Sequence, residues 1–211
     1  LLFVDSSPDE ARSDSVVINY RLGIEQALEH LFSLGHRQIG FVGPADKLDD
    51  WKQPAPEIRR QLFIHFMSAH NDYESNFLID VPTNAVLTEQ AVTAYLQQGC
   101  PLPTAFLTAN EENAIGTVRA LKAAGFSIPE DVSIISFNDT PLSELMEPPL
   151  TSISTRVQEM SCIAVHLLME RTSNSGFLGD IPVKLIVPPT LVVRGSTSQP
   201  PLACISDDFA D

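Results

Sequence analysis

Four segments of this sequence each follow a short apolar run: Asp5-Ser6-Ser7, Gly43-Pro44, Ala109-Asn110 and Asn138-Asp139-Thr140. All but the Gly-Pro pair carry polar side chains. Asparagine offers donors and an acceptor, and ionised aspartate offers acceptors only. Such a mixture suits a neutral, polyhydroxylated ligand such as a sugar. Each residue also has an ordinary structural use. Asn110 precedes a helical stretch and could be its N-cap, and Asp5 and Asp139 could cap turns. Arg59 and Arg60 open a helix, where the macrodipole does not favour cations. Aimed at a cleft, such an arginine could fork onto hydroxyls; on a surface it would simply be solvated. Trp51 is the single tryptophan and lies in a loop. It could stack on the apolar face of a sugar ring or cover a hydrophobic patch.

Signatures of catalysis do not accompany these residues. The sequence has no G-x-S-x-G, Walker loop, G-x-G-x-x-G, H-E-x-x-H or C-x-x-C. No enzyme, catalytic residue, metal site or cofactor is expected. His30 is expected at the surface or in packing, and His36 at a helix C-terminus, where a cation is favoured. His65 and His70 share one helix and lack Cys or His partners at metal-ligand spacing. Asp49-Asp50 reads as a solvated loop pair. Asn138-Asp139-Thr140 matches a glycosylation pattern but ends a buried strand. The chain carries 13 Lys+Arg against 27 Asp+Glu, a net charge of −14. Phosphate backbones repel so acidic a surface, so these residues are not expected to bind nucleic acid. Three scattered cysteines, Cys100, Cys162 and Cys204, suit a reducing compartment better than a disulfide scaffold.

Parallel strands alternating with helices would position these residues. Apolar runs at Leu1–Val4, Ile39–Val42, Phe77–Ile79, Thr104–Thr108, Val132–Phe137 and Leu150–Ile153 read as strands. Helices are expected at Tyr20–Leu34, between Asn19 and Gly35 as caps, and at Glu57–Ala69, Thr88–Gln98, Glu111–Ala124 and Val157–Glu170. On the second of these, Ile58, Leu62, Phe66 and Ala69 would face inward. Residues Val183–Val193 read as a strand broken by Pro188-Pro189, and the tail from Gly195 as frayed. The strands are nearly continuous in apolar character, which argues for sheets covered on both faces. In open sheets of this class, ligands bind beyond the carboxyl ends of the strands, where the polar clusters fall. No apolar stretch approaches membrane-spanning length, and no signal peptide is evident.

Four segments, in order, resemble the effector-binding core of LacI/GalR-type transcriptional repressors. They are Gly23–Leu31 with Leu34-Gly35-His36-Arg37-Gln38-Ile39; Pro103–Phe106 with Ala109-Asn110 and Ala114-Ile115-Gly116; Gly125–Ser133 with Phe137-Asn138-Asp139; and Pro148–Ile153 with Leu191–Ser196. Together they cover roughly residues 1–198. The resemblance implies an α/β, two-lobed, periplasmic-binding-protein-like fold with parallel sheets flanked by helices and three crossovers between lobes. Residues 1–43 and 150–171 would form a partial first lobe, 44–149 and 172–198 the second, and 199–211 a disordered acidic tail. Arg59, Asn110 and Asn138 match family effector contacts. Asn138 stands where the family usually has aspartate, Glu111 replaces another aspartate, and Leu62-Phe63 replaces a glycine-aromatic step.

The implied function is sugar binding in the regulatory core of a cytoplasmic, dimeric bacterial repressor, controlling the operator affinity of a DNA-binding head. The chain opens on Leu1 and is expected to be a fragment without the helix-turn-helix. Its first lobe would be incomplete, and an open sheet edge would be an aggregation hazard. The alternative is an extracytoplasmic sugar-binding protein of a transport system, and the upstream sequence would discriminate the two.

Overall fold

The structure is a computed structural model describing residues 1–45, 47–48, 54–55, 57–70, 72, 74–172 and 179–201. Along the chain run β1 (Leu2–Val4), β2 (Asp14–Ile18), α1 (Tyr20–Leu34), β3 (Ile39–Gly43), β4 (Lys47–Leu48), β5 (Pro54–Ala55) and α2 (Ile58–Ala69). A 3-10 turn (Ser75–Phe77) leads into β6 (Leu78–Asp80), α3 (Ala85–Gln97), β7 (Ala105–Thr108) and α4 (Glu111–Ala123). Then follow β8 (Ser133–Asn138), the short α5 (Pro141–Leu145), β9 (Thr151–Ser154), α6 (Val157–Thr172), β10 (Lys184–Val187) and β11 (Thr190–Val192).

These strands build two principal sheets. The larger has the order β11-β9-β8-β7-β3-β6, parallel except for the β11–β9 pair. The smaller, β1-β2-β10, is all parallel. Side chains alternate across a strand, and the larger sheet uses both faces. Phe41, Leu107, Ile135 and Phe137 pack toward α1 and α2, against Ile24, Leu28, Phe63 and Met67. Their neighbours Val42, Phe106 and Ile134 pack on the other face, against Val92, Val118 and Leu121. This is why these strands read as unbroken apolar runs. The smaller sheet has its own core, in which Val16, Ile18 and Val187 meet Met160, Ala164 and Leu167 of α6.

Local chemistry sets the element ends. The Asn19 side chain accepts from the Leu22 N–H at 3.1 Å and starts α1. Gly35, at φ +103°, ends it: the Gly35 N–H bonds the Phe32 carbonyl and the His36 N–H the Leu31 carbonyl. That left-handed position is one glycine adopts without steric cost.

Several expectations are corrected. Residues 20–43 do not lie with β1: α1 packs on the larger sheet and β3 is a strand of it, as is β9. Strand β10 joins the smaller sheet instead. The cause is β2, a strand not anticipated from the sequence, which carries the chain through the small sheet before it crosses at Asn19. The chain crosses back at Thr155-Arg156, so α6 packs on the small sheet as expected, and crosses again at Pro188-Pro189. The inward face of α2 centres on Phe63 and Met67, with Leu62 and Phe66 packed beside them as expected, while Ile58 and Ala69 are exposed; Leu168 of α6 is also exposed. His36 is buried and does not act as a surface cation. Its Nδ1 lies 2.8 Å from Thr104 Oγ1 and its Nε2 2.8 Å from the Ser198 carbonyl. The tail is pinned as far as Ser198, where Ser196 Oγ donates to the Ile134 carbonyl at 2.6 Å and the Ser198 N–H to Ser133 Oγ at 3.0 Å.

Candidate functional site

At the carboxyl end of β8 the backbone takes two successive left-handed residues, Asn138 (φ +91°) and Asp139 (φ +57°). Asparagine and aspartate tolerate this region better than most side chains. The turn is held from both sides. Glu111, first residue of α4, accepts from the Thr140 N–H at 2.7 Å and from Asn138 Nδ2 at 3.3 Å, with Ser143 Oγ at 3.5 Å. Asp139 points the other way and accepts from Arg194 Nη1 at 2.6 Å.

The turn borders a hollow of about 380 Å³ between the two sheets. The smaller sheet contributes Val4, Asp5 and Ile18; the crossings contribute Tyr20 and Thr155; α6 contributes Val157, Met160 and Ser161; and the β8 tip contributes Asn138 and Thr140. The Tyr20 hydroxyl lies 2.9 and 3.0 Å from the two Asp5 carboxylate oxygens. Burial, reinforced by the Asp5 charge, pushes the Tyr20 phenol well above its ordinary range, so it stays protonated and donates.

Beyond Tyr20 lies Arg59, its guanidinium carbon 5.9 Å from the ring centroid. Glu57 holds Arg59 through Nε at 2.6 Å and Nη2 at 3.0 Å, while Nη1 donates to the Ala109 carbonyl at 2.5 Å. Next in line, Asn110 caps α4. Its Oδ1 accepts from the Asn113 N–H at 3.0 Å and its Nδ2 donates to Thr83 Oγ1 at 3.1 Å.

Four side chains therefore follow one edge, the carboxyl end of the larger sheet: Arg59, Asn110, Glu111 and Asn138. Of the residues singled out from sequence, Asn138 lines the hollow. Arg59 borders Tyr20, Asn110 serves as the cap, and Asp139 is engaged by Arg194 away from the hollow. Trp51 lies outside the described residues. Sequence reasoning missed Tyr20, Thr155, Met160 and Ser161, which reach the hollow only because the chain crosses between the sheets. No group of three or more His, Cys, Asp or Glu among the described residues could hold a metal ion. No helix among them is long and apolar enough to cross a membrane.

Residues 28–197 match the sequence profile of the periplasmic binding protein-like domain. The chain belongs to that family. Its relatives within the periplasmic binding protein-like family are LacI/GalR-type regulators, in line with the resemblance in the sequence. The HTH-type transcriptional repressor MelR of Bacillus subtilis is 31% identical over 201 residues, covering 92% of this chain and 56% of MelR. The HTH-type transcriptional regulator GalR of Lacticaseibacillus casei is 32% identical over 175 residues, covering 81% of this chain and 52% of GalR. The chain thus spans about half the length of the curated relatives it matches. Among solved structures, a LacI family regulator from Enterococcus faecium with bound ribose superposes with a TM-score of 0.77 at 28% identity. That match covers 94% of this chain and 70% of the other.

Proposed function

We propose that this chain is the effector-binding core of a cytoplasmic, dimeric transcriptional repressor whose effector is a sugar. One observation carries the reading: in a chain related to LacI/GalR-type regulators, Asp5 and Ile18 on one side and Asn138 and Thr140 on the other line a single hollow between the two sheets, with Tyr20 at the crossing between them. A ligand touching both sides favours the lobe orientation that closes on it. It shifts the lobe balance by its differential affinity for the two arrangements. DNA contact belongs to a helix-turn-helix outside these residues, consistent with the chain's net charge of −14. The reading assigns Asn138 to direct ligand contact, with Arg59 and Asn110 beside it, and assigns no catalytic residue, metal or cofactor. The relatives' names favour a regulator over a transport component.

The test is a thermal-shift screen of the full-length protein against neutral sugars, with D-ribose included because the solved relative holds it. A ligand that binds only the folded state raises Tm, by about 2.7 kcal/mol of stabilisation at a hundredfold excess over Kd. At least one sugar is expected to raise Tm and to weaken operator binding. If none does, the proposal fails.

A further inference from the structure

The polar groups of the hollow are unevenly divided between donors and acceptors. Glu111 is 5% exposed and already takes the Thr140 N–H. A carboxylate only accepts, so the end of the Asn138 amide facing it at 3.3 Å is Nδ2. That leaves Oδ1 for the hollow. The same bias recurs around the wall. The Tyr20 hydrogen is given to Asp5, Ser161 donates to the Val157 carbonyl at 2.8 Å, and Thr155 points its hydroxyl at the Asn138 carbonyl at 3.5 Å. Each of these oxygens offers a ligand lone pairs. Positive charge is engaged elsewhere: Arg59 is paired with Glu57 and Arg194 with Asp139. Arg156 is exposed and does not line the hollow, although Thr155 and Val157 do. The Asp5 carboxylate does line it.

Resting on the proposed effector cleft, we infer that this hollow selects non-anionic ligands that donate hydroxyl hydrogens, neutral sugars over sugar phosphates, and that Glu111 is the positioning residue that sets this by fixing the Asn138 amide. The pair is matched. An aspartate at 138 would bring two carboxylates to about the 3.3 Å that now separates amide from carboxylate. A Glu111→Gln change inverts the arrangement. The Thr140 N–H keeps the new side chain's carbonyl oxygen, so its amide nitrogen faces Asn138. Asn138 then answers with Oδ1 and turns Nδ2 into the hollow.

The experiment uses the full-length protein and matched probes: D-ribose, D-glucose and D-galactose, each beside its 5- or 6-phosphate. Thermal shift ranks them and calorimetric titration gives Kd. The best neutral sugar is expected to bind about tenfold or more tighter than its phosphate, as an unpaired buried acceptor facing phosphate would require. A phosphate binding equally well or better overturns the selectivity but leaves the cleft reading standing. Binding by neither kind overturns the cleft reading itself, and this inference with it. In Glu111→Gln the neutral-to-phosphate ratio is expected to fall about tenfold. The double variant Glu111→Gln/Asn138→Asp, which again sets an acceptor against a donor, is expected to restore the preference for the neutral sugar. An unchanged ratio in the single variant, or no recovery in the double, overturns the role of Glu111. Simple structural damage would weaken both probes alike and leave the ratio where it was.

Discussion

Asn110 and Asn138 look alike in sequence, each an asparagine just beyond a parallel strand, yet the fold gives them different work. Both polar ends of the Asn110 side chain are engaged, Oδ1 by the Asn113 N–H and Nδ2 by Thr83. Asn110→Ala should therefore cost about 1 kcal/mol through loss of the α4 cap, read as a lower urea midpoint. Asn110→Asp keeps an acceptor at a helix N-terminus and should hold most of that stability. Asn138 has one polar end free, so its effect should appear in ligand affinity. Because its φ is +91°, alanine there would add backbone strain and blur the result. Asn138→Gly keeps the turn's backbone but takes the amide donor from Glu111, so the unliganded midpoint should fall by about 1 kcal/mol, while most of the sugar-induced rise in Tm should be lost. A normal sugar response in Asn138→Gly would remove Asn138 from the site.

At the scale of elements, the small sheet depends on a clamp that the sequence does not advertise. Asp14, at the start of β2, accepts from Arg171 Nη2 at 2.6 Å and Nε at 2.7 Å, and from the Val183 N–H at 2.8 Å. Arg171 also donates to the Gly179 and Ile181 carbonyls. The end of α6, the start of β2 and the approach to β10 are thereby tied together. The hydrogen bond from Arg171 is the main reason the Asp14 carboxyl sits below its usual 3.8. A depressed carboxyl pKa means the unfolded chain binds the proton more readily. The contribution is thus whole above about pH 3.8 and is lost as pH falls through the lower folded value. Asp14→Asn should lower the urea midpoint at neutral pH and flatten its decline below pH 4; an unchanged acid limb would remove the clamp from the account. The clamp was illegible because its partners stand 157 residues apart in sequence. β2 itself does not stand out in the sequence, because the polar Ser13-Asp14-Ser15 leads into its short Val-Val-Ile run. The elements with strong local chemistry, α1 between Asn19 and Gly35 or β7 and β8 as unbroken apolar runs, were readable directly. On α2 the periodicity finds Leu62 and Phe66, but the centre of the buried face is Phe63 and Met67, because packing on β3, with Phe63 beside Phe41, decides it.

Across the whole molecule, the sequence carried the sheet-and-helix alternation and the family. It did not carry the points where the chain passes between the sheets, which depend on β2 and on the two-proline break. For the same reason it pointed to Asn138 but not to Tyr20, which sits immediately past a crossing. The far end of the larger sheet is closed by the tail, with His36 held between Thr104 and the Ser198 carbonyl. Burial holds the His36 imidazole below its usual 6.5, and nearby His30, itself lowered by burial, opposes a second positive charge. An imidazole kept neutral in the fold contributes fully above about pH 6.5, and that contribution is lost as pH falls toward the folded value. Acidification from pH 7 to 5 should lower Tm. His36→Gln, which keeps a donor and an acceptor but no titrating proton, should weaken that slope; an unaltered slope would place the acid sensitivity elsewhere.

The central claim is that one sugar hollow lies between the two sheets, walled by Asp5 and Asn138. A crystal structure of the full-length protein with the sugar that most raises its Tm tests this most directly. The expected result is sugar hydroxyls within hydrogen-bond distance of both Asn138 Oδ1 and the Asp5 carboxylate. A sugar seated away from both residues would contradict it.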